Sequence, residues 1–200
     1  MSLASISADE AITRLASFDT LIDARSPAEY ADDHLPGAVN WPVLDNDERR
    51  EVGTEYKQVS AFDARKHGAA IVARRVADIV EQHVADKPRE WQPLVYCWRG
   101  GQRSGTLAWF LGQIGFRVQV LQGGYKAFRE QVREQLDALP ARFDLTVIAG
   151  RTGSGKTRLL QALRELGAQV LDLEALAKHR GSVLGGLPHD AQPRQKAFDT

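Results

Sequence analysis

The sequence predicts an α/β protein whose strands form a mainly parallel sheet, and three observations support this prediction. Short apolar runs of the kind found in buried strands alternate with longer segments of helical periodicity. Helix-capping residues precede several helical segments, and glycine or proline follows them. The alternation continues beyond Pro140, so we expect two units, one at residues 1–139 and one at residues 140–200.

Buried strands of the first unit are predicted from short runs of aliphatic residues. These runs lie at residues 20–24, 93–97 and 117–121. Residues 34–42 form a predicted turn that leads into a short extended piece. Residues 45–59 are polar and charged, and we expect them to form a surface excursion.

Helix starts are marked by capping residues. Ser7 and Glu10 have the spacing of a capping box, and so do Ser26 and Glu29. Pro27 then occupies the first helical position, which suits its fixed φ angle. Longer helices are predicted from residues 60–63 onward, at 104–114 with a stop near Gly115, and from 123–125 to about Leu139.

Composition excludes several classes of protein. Lys and Arg together number 26, as do Asp and Glu, so no global basic field indicates nucleic acid, and any RNA contact needs a local patch. A single cysteine excludes an internal disulfide or a multi-cysteine metal site, and fits a reducing compartment. The start lacks a signal-peptide pattern and no apolar run could cross a bilayer, so a soluble cytoplasmic protein is expected.

The single cysteine, Cys97, lies where a predicted strand ends and a glycine-rich loop begins. Backbone N–H groups of such a loop can point inward at an anion, and the following helix adds the positive end of its dipole. Arg99 and Arg103 add charge, so we expect a lowered pKa for the thiol. A buried, inert cysteine is the alternative, which the flanking residues disfavour. The predicted anion-binding loop consists of Trp98, Arg99, Gly100, Gly101, Gln102 and Arg103, with Cys97 as the catalytic residue.

Three stretches resemble the landmarks of rhodanese-type domains, in the same order. They are residues 21–42, which contain D-x-R and H-x-P-G, then the cysteine segment at 94–113, then residues 121–128. The resemblance implies a rhodanese-like parallel sheet flanked by helices. It also implies that Cys97 accepts a sulfur atom as a persulfide, whose terminal sulfur anion the loop amides stabilise.

Three further residues match the rhodanese-type pattern, and we expect each to have a structural role. Asp23 and Arg25 are predicted to pair at the end of a strand, and His34 to pack against the following turn.

The cysteine loop departs from this pattern in its length. Five residues separate Cys97 from Arg103, whereas sulfurtransferase loops of this fold commonly have four. The longer spacing resembles that of cysteine phosphatases, and such a loop can encircle a tetrahedral oxyanion. The protein is then either a phosphatase or an enzyme whose donor carries a phosphate-like group. Tyr96 stands where many such phosphatases have histidine, which disfavours the phosphatase interpretation.

A phosphate-binding loop is predicted at residues 150–157, which have the form G-x4-G-K-T. A predicted strand at 145–150 precedes it and an amphipathic helix follows, which is the context that the motif requires. The glycines let the backbone wrap a phosphate, Lys156 reaches the outer phosphates, and the Thr157 hydroxyl can bind Mg²⁺. The predicted phosphate-binding residues are Gly150, Gly153, Gly155, Lys156 and Thr157, and no metal site is certain.

The second unit has too few strand signals for a whole nucleotide-binding fold, which needs about five parallel strands. One further strand is predicted at 169–173, where it holds Asp172, and no Walker B strand is evident. We therefore expect an incomplete, truncated P-loop NTPase-like α/β domain at residues 140–200.

Taken together, the two halves resemble the bacterial tRNA 2-selenouridine synthase family. The resemblance is carried by "YCWRGGQRSG", "GGYKAFR", "GRTGSGKT" and "LDLEALAKHRGS" in this order. It implies that selenium from selenophosphate replaces sulfur in the wobble 2-thiouridine of tRNA through a geranylated intermediate. It further implies geranyl diphosphate as the ligand of the P-loop and tRNA as a partner, with a selenophosphate-supplying enzyme as a second partner and no membrane.

Other functions remain open at this stage. They are a plain sulfurtransferase, a C-x5-R phosphatase, and a non-catalytic chain that only binds partners. Basic residues are scattered over predicted helix faces and mark no tRNA surface. Trp98 could stack on a base or simply pack against the loop.

Overall fold

The structure is a computed structural model that describes residues 3–151, 153–181 and 185–200. The chain divides into two compact units, Met1–Glu134 together with Thr200, and Gln135–Asp199. The first unit contains the sheet and the cysteine loop, and the second contains the predicted phosphate-binding loop.

A five-stranded sheet forms the centre of the first unit, and every pairing in it is parallel. The order across the sheet is β1-β5-β4-β2-β3. This confirms the predicted parallel sheet, to which the structure adds an unpredicted edge strand, β1. The strands are β1 Ala4–Ile6, β2 Thr20–Asp23, β3 Val39–Asn40, β4 Pro93–Tyr96 and β5 Gln119–Leu121.

The chain connections open a crevice between β2 and β4. From β2 the chain continues to β3 on one side, whereas from β4 it continues to β5 on the other side. Ligands of open parallel sheets bind at such a switch point, beyond the carboxyl ends of the strands. Asp23 pairs in register with Tyr96, so the residues that follow both strands reach the same edge.

Helices cover both faces of the sheet because strand side chains alternate between the faces. Ile22 and Val95 face one core with Leu107, while Leu21 and Leu94 face the other. The first core lies under α4 and α5, and the second under α1 and α6. The helices of this unit are α1 Ala8–Arg14, α2 Pro27–Asp32, α3 Asn46–Gln58, α4 Ala61–Ile79, α5 Gln102–Ile114 and α6 Gly124–Ala138, with a π-helical turn at Val80–Val84.

The surface excursion predicted at residues 45–59 is a surface helix: α3 occupies most of this stretch, and none of its residues is buried. Asp45 caps the helix by accepting from the N–H groups of Asp47 and Glu48, and the Glu48 carboxylate accepts from the Asp45 N–H in return. Val52 lies close to Gly68 of α4. Caps and this packing form the helix without the apolar stripe that sequence patterns require.

The first predicted capping box is half formed. The Ser7 hydroxyl accepts from the Glu10 N–H at 3.2 Å, as predicted. The Glu10 carboxylate does not reach back to Ser7, because it pairs with Arg14 one turn further along the helix. An ion pair at this spacing competes directly with the capping geometry.

In the second unit, residues 145–150 and 169–172, where strands were predicted, have no regular secondary structure. Its helices are α7 Lys156–Glu165, α8 Leu173–Leu176 and α9 Gln195–Asp199. In the described part of this unit, β-pairing is limited to isolated bridges, so the strand predictions at 145–150 and 169–173 are wrong. Asp172 instead caps α8 by accepting from the Ala175 N–H at 3.0 Å. A strand without a neighbour leaves its backbone hydrogen-bonding groups unpaired. Val147, in the middle of the first predicted strand, is 83% exposed.

No helix within the described ranges is both long enough and apolar enough to cross a bilayer.

Candidate active site

Cys97 lies directly after β4, at the carboxyl edge of the sheet beside the crevice. Its side chain is 3% exposed, and the Ser104 hydroxyl donates to Sγ at 3.1 Å. Burial alone raises the pKa of the thiol. Hydrogen bonds from the hydroxyl and the N–H of Ser104, the charge of Arg103 and the N–H of Arg99 outweigh burial, so the pKa of Cys97 lies below its ordinary value.

The inward direction of the loop amides follows from where the carbonyl groups point. The carbonyl oxygens of Cys97 and Trp98 accept from the N–H groups of Tyr125 and Lys126 at 2.8 and 3.0 Å. In a trans peptide the carbonyl and the N–H point in opposite directions. The peptide that turns its Trp98 oxygen toward α6 therefore turns its Arg99 N–H the other way, toward the sulfur.

Two glycines make this close approach of loop and helix feasible. Gly124 has φ +61°, and a Cβ placed there would lie 2.2 Å from the Cys97 carbonyl oxygen. Gly100 has φ +66°, and its Cβ would lie 2.7 Å from the Leu121 carbonyl oxygen. Both the backbone angle and the available space therefore require glycine, which explains why the 121–128 landmark accompanies the cysteine loop.

The two loop arginines differ from the prediction in how they contribute. Arg103 donates from both terminal nitrogens to the Glu29 carboxylate, at 2.6 and 3.2 Å, so its fork lies on Glu29 rather than over the sulfur. Burial alone would raise the pKa of Glu29, but the hydrogen bonds and charge of Arg103 hold it below its usual range. The Arg99 side chain is exposed, and its backbone N–H is the group that reaches Cys97.

Asp23 and Arg25 form the predicted pair at the end of β2. Both side chains are almost fully buried, and their closest oxygen and nitrogen are 2.6 Å apart. Arg25 also donates to the Asp33 carbonyl oxygen at 2.7 Å, and its guanidinium lies 4.0 Å from the centre of the Tyr125 ring. This buried pair lies at the carboxyl end of β2, beside the crevice.

His34 packs against Tyr30 of α2, whereas it was predicted to pack against the turn. Its Nδ1 lies 2.9 Å from the carbonyl oxygen of Tyr30, and the two rings stack at 3.9 Å between centroids.

The remaining loop residues lie around the sulfur with different exposures. Gly101 precedes the first residue of α5, so Gln102 and Arg103 begin a helix whose first N–H groups have no partner within the helix. Tyr96 is fully buried, and its hydroxyl accepts from the Leu35 N–H at 3.2 Å. Trp98 by contrast is 37% exposed.

Two glycines of the predicted phosphate-binding loop lie in the left-handed region of backbone conformation. Gly153 and Gly155 adopt φ values of +82° and +84°, and Lys156 begins α7. The Lys156 ammonium donates to the carbonyl oxygens of Gly150 and Arg151 at 2.9 and 3.1 Å. Thr157 is exposed. Position 152 of this motif lies outside the described residues, as does position 182 of the last family stretch.

Removing the Ser104 hydroxyl is expected to raise the pKa of Cys97, because that hydroxyl donates to the thiolate. The pH profile of alkylation by iodoacetamide measures this pKa, and Ser104→Ala should move the profile toward higher pH. Ser7→Ala is the matched control, since Ser7 caps α1 and is not among the groups that lower this pKa. A profile unchanged by Ser104→Ala would contradict the assigned hydrogen bond.

Comparison with known proteins assigns the first unit to a family. The model of the rhodanese-like domain matches residues 7–131. The chain belongs to the rhodanese-like domain family. A solved relative agrees: the N-terminal domain of a Clostridium difficile 630 protein named for ATP/GTP binding shares 35% identity at a TM-score of 0.55, covering 64% of this chain and 98% of that domain.

The second half of the chain matches a different model. Residues 143–200 match the AAA domain of tRNA 2-selenouridine synthase. Among curated relatives, a tRNA 2-selenouridine synthase of Bdellovibrio bacteriovorus is 40% identical over 92% of this chain and 48% of its own length. One of Nitrosomonas europaea is 41% identical over 94% of this chain and 49% of its own length. The predicted resemblance to this family is confirmed, and the chain spans about half the length of these relatives.

Sequence reasoning missed two partners of the site, Glu29 and Ser104. Glu29 has the capping role predicted for it, since its carboxylate accepts from the Ser26 N–H, and it holds Arg103 as well. Ser104 lies in the first turn of the helix after the loop. A polar residue at that position, facing a predicted nucleophile, was the available signal.

Proposed function

We propose that this protein synthesises 2-selenouridine in tRNA, replacing the sulfur of the wobble 2-thiouridine with selenium. The observation that carries the proposal is a thiol of lowered pKa that accepts from the N–H groups of Arg99 and Ser104, in a chain that resembles tRNA 2-selenouridine synthases over both halves. We further propose a cytoplasmic location, because tRNA is found in the cytoplasm.

The length of the cysteine loop, with five residues between Cys97 and Arg103, supports a donor that carries a phosphate-like anion, for which we propose selenophosphate. In the step assigned to Cys97, the thiolate attacks phosphorus, so that an S–P bond forms and the Se–P bond breaks. Hydrogen selenide leaves, no oxidant is needed, and water then hydrolyses the S–P bond to return the thiol and phosphate. The loop amides stabilise the charge of the transferring group, and the Arg103 guanidinium contributes through its field.

Selenium then enters a base whose sulfur has been converted into a leaving group. In the proposed route, geranyl diphosphate alkylates the sulfur of 2-thiouridine and releases diphosphate. Hydrogen selenide attacks C2 and expels geranylthiolate, which takes the selenide proton. The selenouridine forms as its anion and is protonated by water.

The P-loop is the proposed site for the diphosphate of the geranyl donor. Lys156 already donates to two carbonyl oxygens of its loop, and a bound phosphate would offer the ammonium a stronger acceptor. Mg²⁺ fits this site through one protein hydroxyl, that of Thr157, with the remaining ligands coming from phosphate and water. Across the described ranges, no cluster of three or more His, Cys, Asp or Glu residues forms a separate metal site.

The test is to express the 200-residue chain in bacterial cells that lack 2-selenouridine synthesis and are grown with selenium. Mass spectrometry of wobble nucleosides should detect 2-selenouridine with the chain and none without it. When selenium is omitted, S-geranyl-2-thiouridine should accumulate. Absence of 2-selenouridine in the presence of the folded chain would contradict the proposal.

A rhodanese-type sulfurtransferase is the second candidate, and the Glu29–Arg103 pair favours it. Because the fork of Arg103 is already occupied, the ring of amides is left as the main anion ligand, which suits a single sulfur atom. The same pair disfavours a C-x5-R phosphatase, which needs that fork for its substrate. Transfer of sulfur from thiosulfate to cyanide, without selenium exchange, would support the second candidate.

A further inference from the structure

An exposed indole lies beside the buried nucleophile. Trp98 follows Cys97 directly and is 37% exposed, although the neighbouring Cys97 is 3% exposed. The carbonyl oxygen of Trp98 accepts from the Lys126 N–H at 3.0 Å, which fixes its backbone against the start of α6. A large apolar ring is therefore presented to solvent at the mouth of the site from a fixed position.

The ring rests on a rigid support. Its centroid lies 5.5 Å from that of Tyr125, with the ring planes inclined by 31°. The Tyr125 hydroxyl donates to the buried Asp33 carboxylate at 2.6 Å, and the Arg25 guanidinium lies 4.0 Å from the Tyr125 ring centre. One side of the indole is thus packed against immobile groups, so a ligand that stacks on it would pay little to order it.

Packing of the core does not account for the exposed position of the Trp98 indole. Tyr125 is already buried with its hydroxyl paired, so the exposed area of Trp98 adds nothing to the core beneath it. Flat aromatic side chains of this kind hold the unstacked bases of single-stranded RNA, such as those of a tRNA loop. The Arg99 side chain is exposed next to the indole and offers a positive charge to a phosphate of the same strand.

We propose that Trp98 is the stacking platform for the wobble base, which it holds over the cysteine loop while selenium is delivered. The inference rests on the proposed function, because it takes its ligand to be a tRNA anticodon loop. It adds the residue that positions the base, which the family relationship and the motifs do not supply.

The experiment is a double-mutant cycle that measures the coupling between the Trp98 ring and the wobble base. A fluorescein-labelled anticodon stem-loop carrying 2-thiouridine at the wobble position is titrated with the 200-residue chain without selenium donor, and fluorescence anisotropy gives Kd. A second stem-loop has an abasic wobble nucleotide. Trp98→Leu should weaken binding of the first stem-loop about tenfold and that of the abasic one by less than about twofold. Trp98→Phe should recover most of the lost affinity.

Trp109→Leu is the matched control, because Trp109 lies on α5 and is 50% exposed. It should leave both Kd values within about twofold of the wild type. An unchanged pH profile of Cys97 alkylation in Trp98→Leu shows that the loop is intact. If the wild type binds and Trp98→Leu weakens both stem-loops equally, or neither, the platform is overturned and the proposed function stands. If the wild type binds neither stem-loop, the proposed function fails, and the platform fails with it.

Discussion

Cys97→Ser is expected to lower the rate of 2-selenouridine formation by about a thousandfold or more, because a hydroxyl cannot supply the anionic nucleophile of the proposed step. The loop amides and the Ser104 hydroxyl would remain in place, but the pKa of a serine hydroxyl is too high for these groups to ionise it. The wobble nucleosides of cells expressing the variant should resemble those of cells without the chain, apart from any geranylated thiouridine.

The serine substitution should leave the fold intact, since the new side chain is slightly smaller and accepts the same hydrogen bonds. Urea denaturation followed by tryptophan fluorescence should therefore give nearly the wild-type midpoint. Selenium exchange that persists at the wild-type rate would remove Cys97 from the mechanism. It would leave the family relationship untouched, because that relationship rests on both halves of the chain.

Asp23→Ala should lower the free energy of unfolding of the first unit by about 3–5 kcal/mol, because it strands the buried charge of Arg25. Arg25 would keep its bond to the Asp33 carbonyl oxygen and its contact with the Tyr125 ring, but neither carries a full negative charge. Urea titration with tryptophan fluorescence measures the loss specifically in this unit, because all the tryptophans precede residue 135.

The control for this prediction is an ion pair in water. Lys126 and Glu130 are one helical turn apart on α6 and more than half exposed, at 3.3 Å. Glu130→Ala should therefore cost less than about 1 kcal/mol. If Asp23→Ala lowers the free energy of unfolding no more than Glu130→Ala does, the buried pair does not stabilise the end of β2 as the structure indicates.

Most of the first unit was predictable because its signals are local. Aliphatic runs mark β2, β4 and β5, and glycine marks the end of α5, where Gly115 takes the left-handed conformation with φ +116°. β1 escaped notice because three residues carry no pattern, and the strand exists only through its pairing with β5. α3 escaped because helix prediction depends on an apolar stripe, whereas caps at Asp45 and packing of Val52 form this helix.

In the second unit, by contrast, strands were predicted that do not form. The runs at 145–150 and 169–173 have strand composition, yet a strand needs a neighbour to accept its hydrogen bonds, and composition says nothing about neighbours. Asp172, which was predicted to lie in a strand, caps α8 instead. Gly153 and Gly155 of the predicted phosphate-binding loop, by contrast, adopt the left-handed conformation that favours glycine.

The cysteine loop was found from its own residues, but its electrostatic setting was not. Glu29 lies 74 positions before Arg103, and its capping signal gave no hint of a second role. Such a pairing arises from tertiary structure, which brings the start of α2 next to the start of α5. Sequence reasoning therefore overstated the charge that Arg103 has available for a ligand.

The cysteine loop is anchored at both ends. At its entrance, α6 holds the carbonyl oxygens of Cys97 and Trp98, and at its exit Glu29 holds Arg103. An inserted or deleted residue between these two anchors changes the circumference of the ring while both anchors stay where they are. A change in the number of loop residues could therefore adapt the same fold to anions of different size.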